Sequence, residues 1–246
     1  MSQTEIVGGL HAVESLLAHA PERIKRLQVA MESDDARLGN IVRRAEGLGI
    51  SIERVRRDRL DRGQGDLRHQ GVLAWTVPRP RATEADLADR VVAGGTLFLA
   101  LDGVTDPHNL GACLRSADAA GASAVIVPRD RSASLTPAAA KAASGAAETV
   151  PLITVANLAR TLRTLREQGM WVVGLAGDTD TVLYQVDLTL PTVLVMGAEG
   201  EGLRRLTRET CDQLAAIPMA GSVSSLNVSV AAGIALFEVV RQRTRV

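Results

Sequence analysis

The sequence is poor in aromatic rings, cysteine and lysine, and it lacks a long apolar run. Phe, Trp and Tyr make up 2% of 246 residues, with Trp75 and Trp171 the only tryptophans, so recognition by stacking on aromatic side chains is a limited option. Cys113 and Cys211 lie far apart. Neither shows the spacing of a zinc site or a redox dithiol, so both read as free thiols, and no metal is expected. No apolar run approaches the roughly 20 residues that cross a bilayer, and no basic segment leads into an apolar one near the N-terminus. The chain therefore reads as cytoplasmic, with no membrane partner. A formal net charge of zero excludes a uniformly basic coat for nucleic acid but leaves local patches open.

What is present points to a packed α/β protein. Hydrophobic residues are 46% of the chain, enough for a core in one large domain or two modest ones. Up to residue 77 short helical and strand patterns alternate. "GGLHAVESLLAHA" puts Leu10, Val13, Leu16 and Leu17 on one helical face, "RLQVAM" reads as a strand, "ARLGNIVRRAEGLG" as a helix ended by glycine, and "GVLAWTV" as another strand. The stretch 53–71 holds Arg54, Arg56, Arg57, Arg59, Arg62 and Arg68 among Glu53, Asp58, Asp61 and Asp66. Lys25 and Lys141 are the only lysines, and a guanidinium suits bidentate phosphate contact. A salt-bridged solvent face is the alternative.

Residues 78–95, with Pro78, Pro80 and paired glycines, read as a linker. This gives a small domain over 1–77 and a second over 96–246. In the second, "TLFLALDGV", "SAVIVP", "WVVGLAG" and "TVLVMG" are apolar strands of the kind buried in a parallel sheet, with helical segments between them.

Ligands of open parallel sheets collect beyond the C-terminal strand ends, which directs attention to three loops. In the first, 101–122, Asn109 could cap a helix, and Arg115 is a lone cation in the small, apolar "LGACLRSADAAGA", where a phosphate or carboxylate is its natural partner. The second, "VMGAEGEGL", places Gly197, Gly200 and Gly202 around Glu199. Its spacing is neither that of a dinucleotide fold nor that of a phosphate-cradling Walker loop. The third, "IPMAGSVSSLN", supplies Ser222, Ser224, Ser225 and Asn227 before an apolar helix, where capping needs only one.

These three elements in this order resemble the SPOUT class of S-adenosylmethionine-dependent methyltransferases and, within it, the TrmH-like RNA ribose 2'-O-methyltransferases. Asn109, Gly111 and Arg115 match the first motif, "MGAEGEGL" the second and "IPMAGSVSSLNVSVAAG" the third, across 99–243. The N-terminal 77 residues resemble the ribosomal-protein-like RNA-binding domain preceding the catalytic domain in bacterial 23S ribosomal RNA guanosine 2'-O-methyltransferases. The resemblance implies an α/β fold whose parallel sheet ends in a deep trefoil knot, with S-adenosylmethionine as cofactor, 23S ribosomal RNA as substrate and a homodimer, the helix "VAAGIALFEVV" being a candidate surface. It also implies that Gly197, Gly202, Ile217, Met219 and Leu226 surround the cofactor, while Asn109, Arg115, Glu199, Ser225 and Asn227 form the catalytic and substrate-positioning set. A transfer-RNA ribose methyltransferase of the same fold, or a non-catalytic RNA-binding protein, are the other readings.

Overall fold

The computed structural model describes residues 4–31, 35–62, 68–78, 82–91 and 95–244. Its contacts divide the chain into two units, Met1–Pro80 with Ser144–Thr149, and Arg81–Ala143 with Val150–Val246. The short return segment joins the first unit, whereas the sequence placed everything beyond 96 in the second.

In the first unit the elements run β1 (Glu5–Gly8), α1 (Leu10–His19), β2 (Ile24–Ala30), α2 (Ala36–Gly47), β3 (Ile52–Val55), α3 (Arg57–Asp61) and β4 (Val72–Thr76). The sheet order is β1-β4-β2-β3, with β2 and β3 parallel and the other pairs antiparallel. Leu10, Val13, Leu16 and Leu17 form the buried face of α1, as their spacing predicts, and pack with Leu38, Ile41 and Ala45 of α2 over Leu27, Val29, Val72 and Ala74. Each of the buried Leu, Ile and Val side chains is worth about 1.5–3 kcal/mol relative to exposure. Asp35 caps α2 by accepting from Arg37 N.

The second unit contains α4 (Asp86–Arg90), β5 (Leu97–Asp102), α5 (Pro107–Ala119), β6 (Ala124–Pro128), α6 (Pro137–Ala143), β7 (Leu152–Val155), α7 (Leu158–Glu167), β8 (Trp171–Leu175), β9 (Thr192–Gly197), α8 (Arg205–Thr210), β10 (Gln213–Ala215) and α9 (Val228–Arg243). All pairs of its six strands are parallel, in the order β10-β8-β9-β5-β6-β7. Strands 5 to 9 are continuous apolar runs because helices cover both faces. Phe98, Ala100, Val193 and Val195 meet Leu158, Leu162 and Leu165 of α7 on one face, and α5 and α9 pack together on the other.

The segment read as a linker is partly built into this unit. Leu87 on α4 is buried in the same core, Asp86 accepts from Thr83 N, and Glu84 accepts from Thr161 Oγ1 at 2.7 Å. Residues 79–81 and 92–94 of that segment lie outside the described residues. α6 is shorter than "PAAAKAASGAAE" suggests, because Ser144 and Gly145 take φ values of 53° and 98° and end it.

Candidate active site at the ends of β5 and β9

The strand order fixes where a ligand can bind. From β5 the chain runs outward through β6 and β7, then returns to the other side through β8 and β9, so the order reverses between β5 and β9. That reversal opens a crevice beyond their C-terminal ends. Asp102 and Gly197 end the two strands as register partners, and a cavity of about 700 Å³ opens beside them.

The loop after β5 enters α5 through Asp106, which caps the helix by accepting from His108 N at 2.8 Å, with Pro107 at the first helical position. Asn109 is therefore one residue pair inside the helix and is not its cap. Its side chain is left free for a partner across the crevice. Gly111 has a packing reason: an added Cβ would lie 2.3 Å from Ala139 O, where α6 crosses α5.

The loop after β9 folds back on itself. Ala198 and Gly202 exchange backbone hydrogen bonds, and a Cβ on Gly197 would fall 2.2 Å from the Gly202 carbonyl carbon. Gly200 and Gly202 take φ of 79° and 69°, a region that glycine enters freely. This turn presents Glu199. Its Oε1 accepts from Asn109 Nδ2 at 3.0 Å, from Asn227 Nδ2 at 2.8 Å and from Val228 N at 3.3 Å. Asn227 Nδ2 also donates to Asn109 Oδ1 at 3.0 Å, closing a three-residue ring.

Asn227 reaches that ring from a segment that leaves edge strand β10 and crosses back to α9 beside α5. It is also the cap of α9, its Oδ1 accepting from Ser229 N and Oγ. Ser222, Ser224 and Ser225 are exposed and make no hydrogen bond among the described residues. Across 217–226 no backbone N–H or C=O pairs with a backbone group of another described residue. Half-buried Ile217 and Leu226 and exposed Met219 accompany this open main chain.

The structure thus joins Asn109, Glu199 and Asn227, and folds Gly197 against Gly202. It does not bond Ser225, Ile217, Met219 or Leu226 to them. Arg115 is exposed on α5, outside the cavity lining and without an ion pair among the described residues. Sequence reasoning missed Asp102, Arg204, Arg131 and Glu201, all of which line the cavity. Asp102 is 1% exposed; its Oδ2 accepts from Arg204 N at 2.9 Å, and Arg204 Nη1 lies 3.3 Å from Oδ1. The signal for Asp102 was an acid ending an apolar strand. Glu201 stood inside "MGAEGEGL", two residues after Glu199, whereas nothing local marked Arg131.

The cysteines are unbridged, Cys113 buried and Cys211 half-buried. Burial first, and then the neighbouring Glu199 charge, pushes the Cys113 thiol up to about 12. Burial likewise raises Cys211 to about 12, with Asp212 adding to it. Neither is a thiolate nucleophile near neutral pH.

Residues 96–237 match the SpoU rRNA methylase family. The chain belongs to that family. Residues 6–81 match the RNA 2'-O ribose methyltransferase substrate binding domain, so the SpoU fold carries a separate unit before it. The 23S rRNA (guanosine-2'-O-)-methyltransferase RlmB of Photorhabdus laumondii is 57% identical over 98% of this chain and 99% of its own length. RlmB of Escherichia coli K12 is 55% identical over 98% and 100%. Among solved structures, the SpoU methyltransferase AviRb from Streptomyces viridochromogenes, in complex with the cofactor AdoMet, superposes with a TM-score of 0.79 at 27% identity, covering 99% of this chain and 92% of that one. The TrmH/SpoU tRNA modifying enzyme of A. aeolicus superposes with a TM-score of 0.56 at 31% identity, covering 65% and 82%.

Proposed function

We propose that this protein transfers a methyl group from S-adenosylmethionine to the ribose 2'-oxygen of a guanosine in 23S ribosomal RNA. The Asn109–Glu199–Asn227 ring at the reversal point of the sheet carries this reading. Support for the nucleotide and the RNA comes from RlmB relatives whose full length this chain matches.

The cofactor fits the residues present. Unpaired backbone groups between Ile217 and Leu226 offer donors and acceptors to an adenine edge, flanked by apolar side chains. Bound there, S-adenosylmethionine supplies an already activated methyl carbon. The protein's own task is to hold the 2'-hydroxyl in line and help its proton leave.

Glu199 Oε1 is saturated by three donors while Oε2 receives none. Oε2 can accept from the ribose hydroxyl, and the second N–H of Asn109 can meet the same oxygen. Ser225 orients the ribose. A guanidinium is effectively always protonated, so Arg115 acts electrostatically, on an RNA phosphate or on the developing alkoxide. No step needs a metal, and among the described residues no cluster of His, Cys, Asp or Glu could hold one.

The N-terminal unit would bind RNA. Arg56, Arg59 and Arg62 are paired with Asp58 or Glu53, whereas Arg54, Arg57 and Arg68 are exposed and carry no ion pair among the described residues. Exposed arginines of this kind suit phosphate contact. The assembly would be a homodimer, since Val230 and Phe237, one heptad apart on α9, are 51% and 50% exposed.

The test is transfer of labelled methyl to unmodified 23S ribosomal RNA and to unmodified bulk transfer RNA. Labelling of the ribosomal RNA alone is expected. Labelling of transfer RNA alone would overturn the substrate, and no labelling despite cofactor binding would overturn the enzyme.

A further inference from the structure

The cavity beside the Asn109–Glu199–Asn227 ring has a lining that the ring does not explain. Of the proposed cofactor residues only Gly202 reaches it, which leaves most of this cavity to another ligand. Most of its charged groups are committed. Asp102 holds Arg204, Asp106 caps α5, and Glu199 Oε1 closes the ring. Arg131 and Glu201 are the exceptions. Both line the cavity, both are exposed, and neither pairs with the other or with any described group.

Arg131 is also held deliberately. It follows β6 by three residues with φ of 54°, an uncommon conformation for a side chain with a Cβ. Two residues later, Ala133 N donates to Val104 O at 2.8 Å, pinning this loop to the loop after β5. Behind it, Asp102 Oδ1 is fully buried without a hydrogen bond, although Arg204 Nη1 lies 3.3 Å away.

Charge decides the ligand's chemistry. Carboxylates outnumber guanidiniums around the cavity, which disfavours a phosphate. Uncommitted groups of opposite sign suit a neutral ligand with both donors and acceptors on its edges. No aromatic side chain is in the lining; Val104 and Val228 supply its apolar walls. Recognition there must work through edges rather than ring stacking.

We propose that this cavity takes the guanine base of the target nucleotide, with Arg131 donating to O6 and N7 and Glu201 accepting from N1–H and the 2-amino group. This rests on the methyltransferase reading above and gives it a specificity determinant. Arginine bidentate to guanine O6 and N7 is the commonest base-specific contact, and a carboxylate complements the opposite donors.

The test uses a 23S ribosomal RNA fragment in which the mapped target guanosine is replaced by inosine, which lacks the 2-amino group, or by 7-deazaguanosine, which lacks N7. Values of kcat/KM are measured for the wild type, Glu201→Gln and Arg131→Lys, with melting temperature and cofactor affinity checked in each. The wild type is expected to lose about tenfold or more on each analogue, one contact's worth of discrimination. Glu201→Gln should lose about as much on guanosine and little further on inosine, and Arg131→Lys should behave so toward 7-deazaguanosine. Losses that multiply, each variant keeping the wild type's full discrimination, would overturn the pocket while leaving the methyltransferase intact. Methylation of a target that is not guanosine would overturn it too. A wild type that transfers no methyl to any RNA would overturn both readings.

Discussion

At Glu199 the two carboxylate oxygens have different work. Oε1 gathers Asn109, Asn227 and Val228 N, and Oε2 is left over. Glu199→Gln can keep one oxygen toward the three donors but turns an N–H₂ toward the hydroxyl. We expect a folded protein with near-normal cofactor affinity whose single-turnover rate falls about tenfold or more; wild-type rates from this variant would remove Glu199 from the chemistry. Arg115→Lys retains charge but loses the planar fork. Turnover at saturating RNA should drop strongly, and a near-normal value would show that charge suffices there without the fork. Asn109 shows how far a single residue can be read from sequence. Its type suggested a cap, yet Asp106 lies three residues earlier with Pro107 following, and takes that position. The ring with Glu199 joins residues 90 positions apart. No local pattern could show it, and only the family resemblance named its members. Arg131 fell outside every motif, and Glu201, though inside "MGAEGEGL", was given no role there; both became visible as cavity lining.

Elements were legible where periodicity was long and apolar. The buried face of α1 and the strands of the parallel sheet appear where the pattern put them. The missed elements, among them β1, β3, α3, β7 and α8, span 4 to 6 residues. β1 is fixed by pairing with β4, some 70 residues away in the chain, and such pairing leaves little trace in a short window. The same limit hid α4, whose Leu87 is anchored by tertiary burial alone. At the α5–α6 crossing the geometry makes a sharper statement. Gly111→Ala would put a Cβ 2.3 Å from Ala139 O and 2.6 Å from Ala142 Cβ. Overpacking of this kind costs about 1–3 kcal/mol, or about 2–4 °C in melting temperature per kcal/mol at this size. Calorimetry of the variant checks it, and an unchanged melting temperature would show that the helices separate easily. Activity should fall with stability, because the same helix carries Asn109.

For the whole molecule, strand order does more than any single residue. It reverses between β5 and β9, and the chain's return from β10 to α9 brings Asn227 to that reversal. The threading that the SPOUT resemblance implies is a property of this path, and no periodicity encodes it. Assembly belongs to the same scale. α9 is apolar on nearly every side, burying Ala232, Ala235, Leu236 and Val239 while leaving Val230 and Phe237 exposed. A helix of that composition is normally covered all round. Phe237→Asp should shift the sedimenting species from dimer to monomer, and a monomeric wild type would remove the proposed assembly. The central claim concerns the atom that receives the methyl group. Its most direct test is to digest 23S ribosomal RNA after reaction with the purified protein and S-adenosylmethionine, and to identify the modified nucleoside and its position by mass spectrometry. A single 2'-O-methylguanosine is predicted. A methyl group on a base, on another nucleotide's ribose, or nowhere would contradict the account.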